Sequence, residues 1–406
     1  MPFVNRNLLA IAAACFIGFS GFTLAMPFLP LYFAELGMRD AADIALWSGL
    51  SLGVTPGMTA LLAPLWGRLA DRYGTKFLVL RSLVCFVITM VLMGLVTRPW
   101  HIFGLRVLQG FFAGYGALAV AMAAQTAPRD RMASAIGTVQ TAQRLGPAIG
   151  PAIGGVLAVS IGIRASFFVS SLFYLAALIL VWRWFDEPPR ARRVEAPGRS
   201  TSGSTFVSGE AFQQVVLLMG VIFGLQLVDR SFGPVLPLYL EQLGMPTERI
   251  ALAAGVLFSA VAGAGAIGNL VTQRLLQRLS PRALLRWTAL VAAVGLLPFV
   301  LQWSIGALVA AALVFGFAIG VAMTASFTAA GHVIPEHAHA TGFGLLTSAS
   351  LAGLSVSPVA SGVLARISIR SVFIVGVITL AVVSAMVSYV MRDRVQQAAY
   401  PSVEET

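Results

Sequence analysis

Long apolar runs recur along this chain, and their length and number give the first prediction. Each run holds about 20 residues, which is the length that an α-helix needs to cross the hydrocarbon core of a membrane. Six runs predict helices one to six near residues 8–33, 47–66, 77–97, 99–125, 135–162 and 164–185. A second set predicts helices seven to twelve near residues 213–240, 249–274, 283–303, 305–330, 340–366 and 369–391. We therefore expect an all-α integral membrane protein with twelve transmembrane helices.

The segment between the two sets cannot form a span. It contains the sequence DEPPRARRVEAPGRSTSGSTFVSGEA, in which prolines, arginines and a Ser/Gly run leave no apolar face to bury. We interpret residues 186–212 as a cytoplasmic linker. It joins an N-terminal six-helix half, residues 1–185, to a C-terminal half, residues 213–406, that ends in a short cytoplasmic tail.

Composition and charge agree with a membrane protein. The chain is 58% apolar and only 11% charged, whereas soluble domains carry about 25% charged residues. Apart from Arg106, Arg144 and Arg230, which lie deep inside the predicted spans, 18 Lys and Arg residues are assigned to one side of the membrane and 6 to the other. Because basic loops stay in the cytoplasm, both termini are predicted to be cytoplasmic. Topology and attraction to anionic lipid then explain the net charge of +11, and we expect no nucleic-acid partner because no soluble basic module exists.

The two sets of helices repeat each other at an offset of 207 residues. PFLPLYFAELGM at residues 27–38 corresponds to PVLPLYLEQLGM at residues 234–245. The same offset aligns further positions of helices five and eleven, among them Gly146 with Gly353 and Gly155 with Gly362. Such a repeat predicts two pseudo-symmetric halves, in which helix one corresponds to helix seven and helix five to helix eleven.

Three motifs carry a resemblance to a known family. GRLADRYGTK at residues 67–76 resembles GxLADRxGRK, the signature of the loop between helices two and three in the major facilitator superfamily, with Thr75 in place of a basic residue. RVLQG at residues 106–110 resembles the RxxQG signature of helix four. GPAIGPAIGG at residues 146–155 resembles GxxxGPxxGG, the helix-five motif of the twelve-span drug:proton antiporters. Over essentially its whole length the chain resembles the bacterial multidrug exporter branch of that family.

The resemblance implies a fold, a function and a set of partners. It implies the major facilitator fold, with a substrate site between the halves near the bilayer midplane. It implies a secondary active transporter in the bacterial inner membrane that exports small, lipophilic molecules by proton antiport through alternating access. A small-molecule substrate, protons and the lipid bilayer are the expected partners of a monomer. An uptake transporter or facilitator of a metabolite or lipid precursor is the alternative. An enzyme is not expected, because no catalytic cluster lies at membrane depth.

Each motif also has a physical interpretation. In the predicted gating loop, two glycines permit a tight turn, and Asp71 can accept hydrogen bonds from a neighbouring helix N-terminus and so latch one state. An ordinary solvated turn is the alternative for that loop, whose candidate residues are Gly67, Asp71, Arg72, Gly74 and Lys76. In helix five, glycines clear one face for close packing and prolines can bend the helix. That helix is either a pivot or a packing element, and its candidate residues are Arg144, Gly146, Gly150, Pro151, Gly154 and Gly155.

Four ionisable residues lie deep inside the predicted spans: Arg106, Arg144, Asp229 and Arg230. A charge at the bilayer centre costs about 2.5–3.5 kcal/mol, so these residues are functional candidates. Asp229 is the only deep carboxylate and the leading candidate for proton coupling, with a static ion pair to an Arg as the alternative. Arg106 either organises a charge or water network, as its motif implies, or binds helix-end carbonyls. Helix one departs from the family pattern, since its only acid, Glu35, lies near the outer surface.

Polar residues within the spans are the candidates for a largely apolar substrate cavity: Gln109, Tyr115, Gln140, Gln143, Gln226 and Asn269. Three deep Arg residues against one Asp favour an anionic or zwitterionic substrate over a cationic one. The loop before helix eleven contains His332, Glu336, His337 and His339, but without clean ligand spacing, so we expect no metal. No cofactor is expected either, and no nucleotide-binding GxxxxGK[ST] loop is present.

Overall fold

The structure is a computed structural model that describes residues 5–128, 131–187, 209–334 and 339–390. Within these residues every regular element is a helix, and eleven helices are long and apolar enough to cross a membrane. Predicted helix five is also present as Met132–Ser160, whose 29 residues are sufficient to span. It is not among the eleven because its Gly, Pro, Gln and Arg residues lower its hydropathy. The all-α membrane fold expected from the sequence is confirmed.

The observed helices follow the predicted order. In the first half the bounds are Arg6–Ala25, Met26–Phe28 (a 3-10 turn) and Leu29–Glu35 for helix one, then Ala41–Tyr73, Thr75–Leu95, Pro99–Phe112 with Tyr115–Thr126 for helix four, Met132–Ser160 and Ile163–Trp184. In the second half they are Gly209–Asp229 with Leu236–Gln242 for helix seven, then Thr247–Leu276, Pro281–Val300, Ile305–Val333, His339–Ala365 and Ile369–Val390.

Helices one and seven are interrupted at corresponding places, although the sequence predicts each as a single helix. Helix one passes through a 3-10 turn at Met26–Phe28, and helix seven stops at Asp229 and resumes at Leu236. Both interruptions adjoin the repeated PxLPLY segment, whose prolines cannot donate the backbone hydrogen bonds of a continuous helix. The two halves therefore share an interrupted helix at this place as well as a repeated sequence.

Helix four is interrupted as well, between Phe112 and Tyr115. Ala113 is extended, and Gly114 has φ +124°, a conformation that glycine adopts far more readily than residues with a Cβ. The predicted single helix over residues 99–125 is thus wrong at this point. The second segment, Tyr115–Thr126, begins directly after this glycine.

Side chains of helices two and three satisfy the carbonyl groups at the break in helix four. Trp66 Nε1 donates to the Phe111 carbonyl at 2.8 Å. The Phe112 carbonyl accepts from Ser82 Oγ at 2.7 Å and from Arg81 Nη2 at 3.0 Å. The Arg81 guanidinium also lies 3.7 Å from the centre of the Trp66 ring, a cation–π contact. The break in helix four is therefore stabilised by side chains of helices two and three.

The described residues fall into two compact units. The first comprises those within Met1–Ala196, Ser231–Gly263 and Ser355–Ile369. The second comprises those within Pro197–Arg230, Ala264–Leu354 and Arg370–Thr406. The first unit thus holds the first six helices together with Leu236–Gln242 of helix seven, the start of helix eight and the end of helix eleven.

The pseudo-symmetry of the halves is visible in one repeated helix contact. A Cβ atom on Gly146 of helix five would lie 3.0 Å from the carbonyl oxygen of Phe16 in helix one. A Cβ atom on Gly353 of helix eleven would lie 2.8 Å from the carbonyl oxygen of Phe223 in helix seven. Phe223 follows Phe16 by the same 207 residues that separate the two glycines. Both pairs of helices use a glycine to bring their backbones together at the same place.

Candidate transport site

Arg106 of helix four is buried, with 1% of its surface exposed. Its Nε donates to the carbonyl of Ser51 at 2.9 Å, and its Nη1 donates to Gln109 Oε1 at 2.5 Å. No carboxylate forms an ion pair with Arg106 among the described residues. Its charge is therefore stabilised by the dipoles of a backbone carbonyl and an amide rather than by a counter-charge.

Gly110, the last residue of the RxxQG motif, explains how Arg106 reaches helix two. A Cβ atom on Gly110 would lie 2.8 Å from Met58 Cβ and 2.9 Å from Thr55 Cα, so a larger residue would push the helices apart. Thr55 Oγ1 donates to the Arg106 carbonyl at 2.8 Å across the same contact. Gly110 lets helices two and four approach closely, and Arg106 can therefore reach the Ser51 carbonyl of helix two.

Gln109 extends this network to helix three. Its side chain is 1% exposed, and its Nε2 donates to Thr89 Oγ1 at 3.4 Å. On the side of helix one, the Arg106 guanidinium lies 5.4 Å from the centre of the Phe22 ring. Arg106 thus contacts a carbonyl in the interior of helix two, not at a helix end, together with a polar side-chain network, and both roles expected from the sequence stay predictions.

The other cavity candidates of the first half differ in exposure. Tyr115 is 3% exposed and its ring stacks on Phe19 at a centroid distance of 6.0 Å. Gln143 Nε2 donates to the Gly116 carbonyl at 2.9 Å, across the contact between helices five and four. Gln140 is exposed and makes no hydrogen bond within the described part of the chain. Tyr115 and Gln143 are thus engaged in packing, whereas Gln140 is available to a ligand.

Arg144 follows Gln140 by one helical turn and is also exposed. Residues four apart lie on the same face of a helix, so the two side chains form one polar strip on helix five. Arg144 has neither a hydrogen bond nor an ion pair to any residue that the structure describes. This strip presents an unneutralised cation in the middle of a 29-residue helix.

The glycines of the helix-five motif pack against helix one. A Cβ atom on Gly150 would lie 2.7 Å from the Ser20 carbonyl oxygen, and one on Gly154 would lie 2.8 Å from the Leu24 carbonyl carbon. Both distances are shorter than real Cβ contacts, so only glycine fits. The predicted close packing is present, whereas the pivot role stays a prediction.

A second face of helix five packs against helix eight. A Cβ atom on Gly155 would lie 2.7 Å from the Ala251 carbonyl oxygen. Next to Pro151, the backbone N–H of Ala152 donates to Ser259 Oγ at 3.0 Å. Helix five therefore joins helix one of its own half and helix eight of the other half, and all of these residues belong to the first unit.

Helices two and eleven make the corresponding contact, which the sequence analysis did not single out. Ser355 Oγ donates to the Gly53 carbonyl at 2.9 Å, and a Cβ atom on Gly362 would lie 2.7 Å from the Ala45 carbonyl oxygen. Two features of the sequence could have indicated this contact between helices two and eleven. Glycines recur every four residues in helix two, as in other closely packed membrane helices, and Gly362 is the repeat partner of Gly155.

The expected gating loop is mostly helical. Helix two continues to Tyr73, so Gly67 lies inside it and the prediction that Gly67 helps to form a tight turn is wrong. Gly74 alone makes the turn, with φ +102°. The Arg72 guanidinium lies 5.4 Å from the centre of the Tyr73 ring. The side chain of Asp71 lies outside the described part of the structure, so its latch role stays a prediction.

Residues that follow helix six hold the start of helix three. Glu187 accepts a hydrogen bond from the Thr75 backbone N–H at 2.8 Å, and Lys76 Nζ donates to the Phe185 carbonyl at 2.5 Å. The Glu187 carboxylate thus caps a helix N-terminus, where the helix dipole favours an anion. Lys76 is a predicted gating residue, whereas Glu187 is not predictable from the sequence, because its contact with Thr75 joins residues 112 apart.

In the second half, Asp229 forms an ion pair with its neighbour Arg230 at 3.1 Å. The side chains are 19% and 50% exposed, respectively. Consecutive residues of a continuous helix point about 100° apart. The helix ends at Asp229, which is why the two side chains can meet.

The remaining cavity candidates of the second half bind other helices. Gln226 Nε2 donates to Ser350 Oγ at 2.8 Å, between helices seven and eleven. Asn269 Oδ1 accepts from Thr324 Oγ1 at 2.8 Å, between helices eight and ten. Among the described residues, no group of three or more His, Cys, Asp or Glu side chains could hold a metal ion. Glu336 and His337 lie outside those residues.

Comparison with known proteins places this architecture in a family. Residues 11–305 and 251–406 match the Major Facilitator Superfamily. Multidrug resistance protein MdtG from Yersinia enterocolitica is 33% identical over 283 residues, which cover 69% of this chain and 67% of that protein. MdtG from Proteus mirabilis is 32% identical over 307 residues, which cover 75% of this chain and 76% of that protein.

A solved structure supports the fold. It is that of a bacterial homologue of the human lysosomal transporter Spinster, in an inward-facing and occupied conformation. The match has a TM-score of 0.75 and covers 97% of this chain and 98% of that one, at 19% sequence identity. The family match, the relatives and the shared fold together show that this chain belongs to the Major Facilitator Superfamily.

Proposed function

We propose that this protein exports small, lipophilic molecules from the bacterial cytoplasm by proton antiport. Membership of the superfamily makes it a multi-pass membrane transporter rather than an enzyme. The relatives named as multidrug resistance proteins support drug efflux. The structural observation that carries the proposal is helix five, whose glycine motif packs on helix one and, through another face, on helix eight.

Alternating access requires contacts between the halves that can close and open. Helix five meets helix eight at Gly155, and helix two meets helix eleven at Gly53 and Gly362. Backbones in contact at glycines can separate without disentangling long side chains, which suits a reversible seal. With both termini in the cytoplasm, as the basic residues predict, these two contacts lie toward the outer surface and would seal that side.

The proton-coupling part of the proposal depends on Asp229. The other acidic residues in described helices stand within three residues of the beginning or end of a span. Asp229 stands at an interruption inside a span and remains 19% exposed. Protonation would remove its charge and weaken its pair with Arg230, so proton binding can be linked to a change in this segment.

The substrate part of the proposal depends on the excess of cations. Arg106 has no carboxylate partner among the described residues, and Arg144 is exposed on the polar strip of helix five. An anionic or zwitterionic compound with an apolar body would supply a counter-charge to Arg144, which is exposed, and would be attracted by the buried charge of Arg106. We therefore expect such compounds to be carried better than cations of the same size.

The test uses inside-out membrane vesicles with an imposed pH gradient and fluorescent anionic, zwitterionic, neutral and cationic compounds. We expect uptake that an uncoupler abolishes, with preference for the first two classes. Asp229→Asn keeps the side-chain shape but cannot titrate, so gradient-driven uptake should fall to the level of vesicles that lack the protein. Glu241→Gln is the matched control, because Glu241 lies at the exposed end of the same span.

Three other outcomes would each contradict a part of the proposed function. Coupled uptake that survives in Asp229→Asn would contradict the proton role of this residue. Uptake that the uncoupler leaves unchanged would contradict antiport. Accumulation of metabolites only in vesicles of the opposite orientation would favour the uptake transporter.

A further inference from the structure

A groove runs along the start of helix one in the first unit. One cavity of about 460 Å³ is lined by Asn5, Arg6, Leu9, Ala10, Ala13 and Trp184. An adjoining cavity of about 580 Å³ lies between helix one and residues 137–145 of helix five. Ala13 lines both cavities, and we call the two together the helix-one groove.

The helix-one groove is open along one side and, apart from two threonine side chains, apolar beyond its first turn. It extends from Arg6 to Phe16, which is about 15 Å along a helix at 1.5 Å per residue. Its floor consists of small residues such as Ala10 and Ala13, which leave room beside the helix. Leu9, which also lines the groove, is 56% exposed. These dimensions suit a flexible hydrocarbon chain that lies parallel to the helix.

The open end of the groove is positively charged. Arg6 is exposed and has no hydrogen bond or ion pair to the described residues. It is the first residue of helix one, where the positive end of the helix dipole adds to its charge. Trp184, 50% exposed, lines the same end. Tryptophan is enriched at the level of the lipid headgroups, which places this end at the membrane surface.

Polar contacts fix the walls at this end. Asn7 Nδ2 donates to the Asp186 carbonyl at 2.7 Å, and the Asp186 N–H donates back to Asn7 Oδ1 at 3.0 Å. Asn5 Nδ2 donates to the Thr126 carbonyl at 3.1 Å. Helix one is thus tied to the ends of helices four and six, and the mouth of the groove is preformed.

We propose that the helix-one groove binds an anionic phospholipid, with the phosphate at Arg6 and one acyl chain along Leu9, Ala13 and Phe16. A cation at the membrane surface followed by an apolar channel matches a molecule with an anionic head and a long tail. A small polar anion would leave the apolar length unfilled. A lipid without net charge would leave Arg6 without a counter-charge.

The test measures phospholipid binding to the purified, detergent-solubilised protein by native mass spectrometry, with phosphatidylglycerol and phosphatidylcholine of equal chain length. We expect phosphatidylglycerol to bind about fivefold more tightly, the effect of one basic residue near a membrane surface. Arg6→Gln should abolish that preference. Arg183→Gln is the matched control, since Arg183 is exposed, adjoins Trp184 and does not line the groove.

A second variant tests the position of the acyl chain. Ala13→Leu would fill the groove at an exposed position, so folding should be unaffected, as thermal unfolding in detergent can verify. It should weaken long-chain phosphatidylglycerol and leave a six-carbon-chain analogue, too short to reach Ala13, unchanged.

Three results would overturn the proposal. An equal loss of binding in Arg6→Gln and Arg183→Gln would indicate diffuse attraction. Unchanged long-chain binding in Ala13→Leu would place the chain elsewhere. Displacement of phosphatidylglycerol by the transported compounds would make the groove a substrate path instead.

Discussion

The two halves of this transporter share their packing but not their charges. Gly146 on Phe16 in the first half corresponds to Gly353 on Phe223 in the second. By contrast, Asp229 of helix seven corresponds at the same offset to Phe22 of helix one. Duplication has kept the positions where backbones touch, and the ionisable residues have diverged.

The difference extends to helices four and ten. Buried Arg106 lies beside Phe22, and its counterpart in helix ten is Leu313, which is 46% exposed. The first half therefore holds a buried cation beside an aromatic ring, whereas the second holds a partly exposed acid. The repeated positions carry the scaffold, and the positions that break the repeat carry the candidate chemistry.

The largest effect should come from removing the cation of the first half. Arg106→Met should reduce transport to background, because the network to Ser51 and Gln109 is lost. Arg106→Lys should recover little, since an ammonium group cannot reproduce the forked hydrogen bonds of a guanidinium. Vesicle transport measures both, with Arg98→Gln as the control at the exposed start of helix four. Normal transport by Arg106→Met would show that the buried cation is dispensable.

The next prediction moves the acid between the halves. In the Asp229→Asn background, Phe22→Asp would place a carboxylate near Arg106 and should restore part of the gradient-driven uptake. Phe22→Asn in the same background should restore none. Recovery with both variants would mean that charge at this position is irrelevant, and recovery with neither would mean that the acid functions only in helix seven.

The packing side of the comparison predicts matched losses of stability. Gly146→Ala and Gly353→Ala should each lower the free energy of unfolding by about 1–3 kcal/mol, because each Cβ would meet a backbone atom. Gly137→Ala and Gly344→Ala are controls at another repeated pair, with no atom within 4 Å, and should gain about 0.5–1 kcal/mol. Denaturation in detergent compares them. A neutral Gly353→Ala beside a destabilising Gly146→Ala would break the packing symmetry.

The smallest effect concerns the seal between helices two and eleven. Arg366 Nη2 lies 3.2 Å from Asp43 Oδ1, and both side chains are half exposed. A double-mutant cycle with Arg366→Gln and Asp43→Asn should give a coupling of about 0.2–1 kcal/mol that decreases at high salt. Coupling well above this range would mean that the ion pair, rather than the glycine contacts, holds this seal.

The sequence predicted the spans, the repeat and the family, because lipid demands long apolar helices and the motifs are specific. It did not predict the interruptions in helices one, four and seven. Whether a glycine such as Gly114 interrupts a helix depends on side chains elsewhere that donate hydrogen bonds to the freed carbonyls. The same limit explains the ion pair of Asp229 with Arg230, since helical periodicity was assumed through residue 240.

Contacts between distant helices were the other missing part of the site. The spacing of glycines in helix two indicated a packing face but not the partner, which is Ser355 of helix eleven. Glu187 was likewise invisible as a cap for helix three. Such pairs depend on which helices are neighbours in the fold, and hydropathy along the chain does not contain that information.

The interruption of helix four also bears on how the protein is made. Carbonyl groups without partners are costly in lipid, so the turn at Ala113 and Gly114 cannot be stable alone in the bilayer. Its partners, Trp66, Arg81 and Ser82, belong to spans that are synthesised earlier. We expect helix four to enter the membrane as a continuous helix and to acquire its break only when it docks on helices two and three. Assembly of the first half would then follow the order of synthesis, and a defect in Trp66 or Arg81 would appear first as a protein that fails to mature.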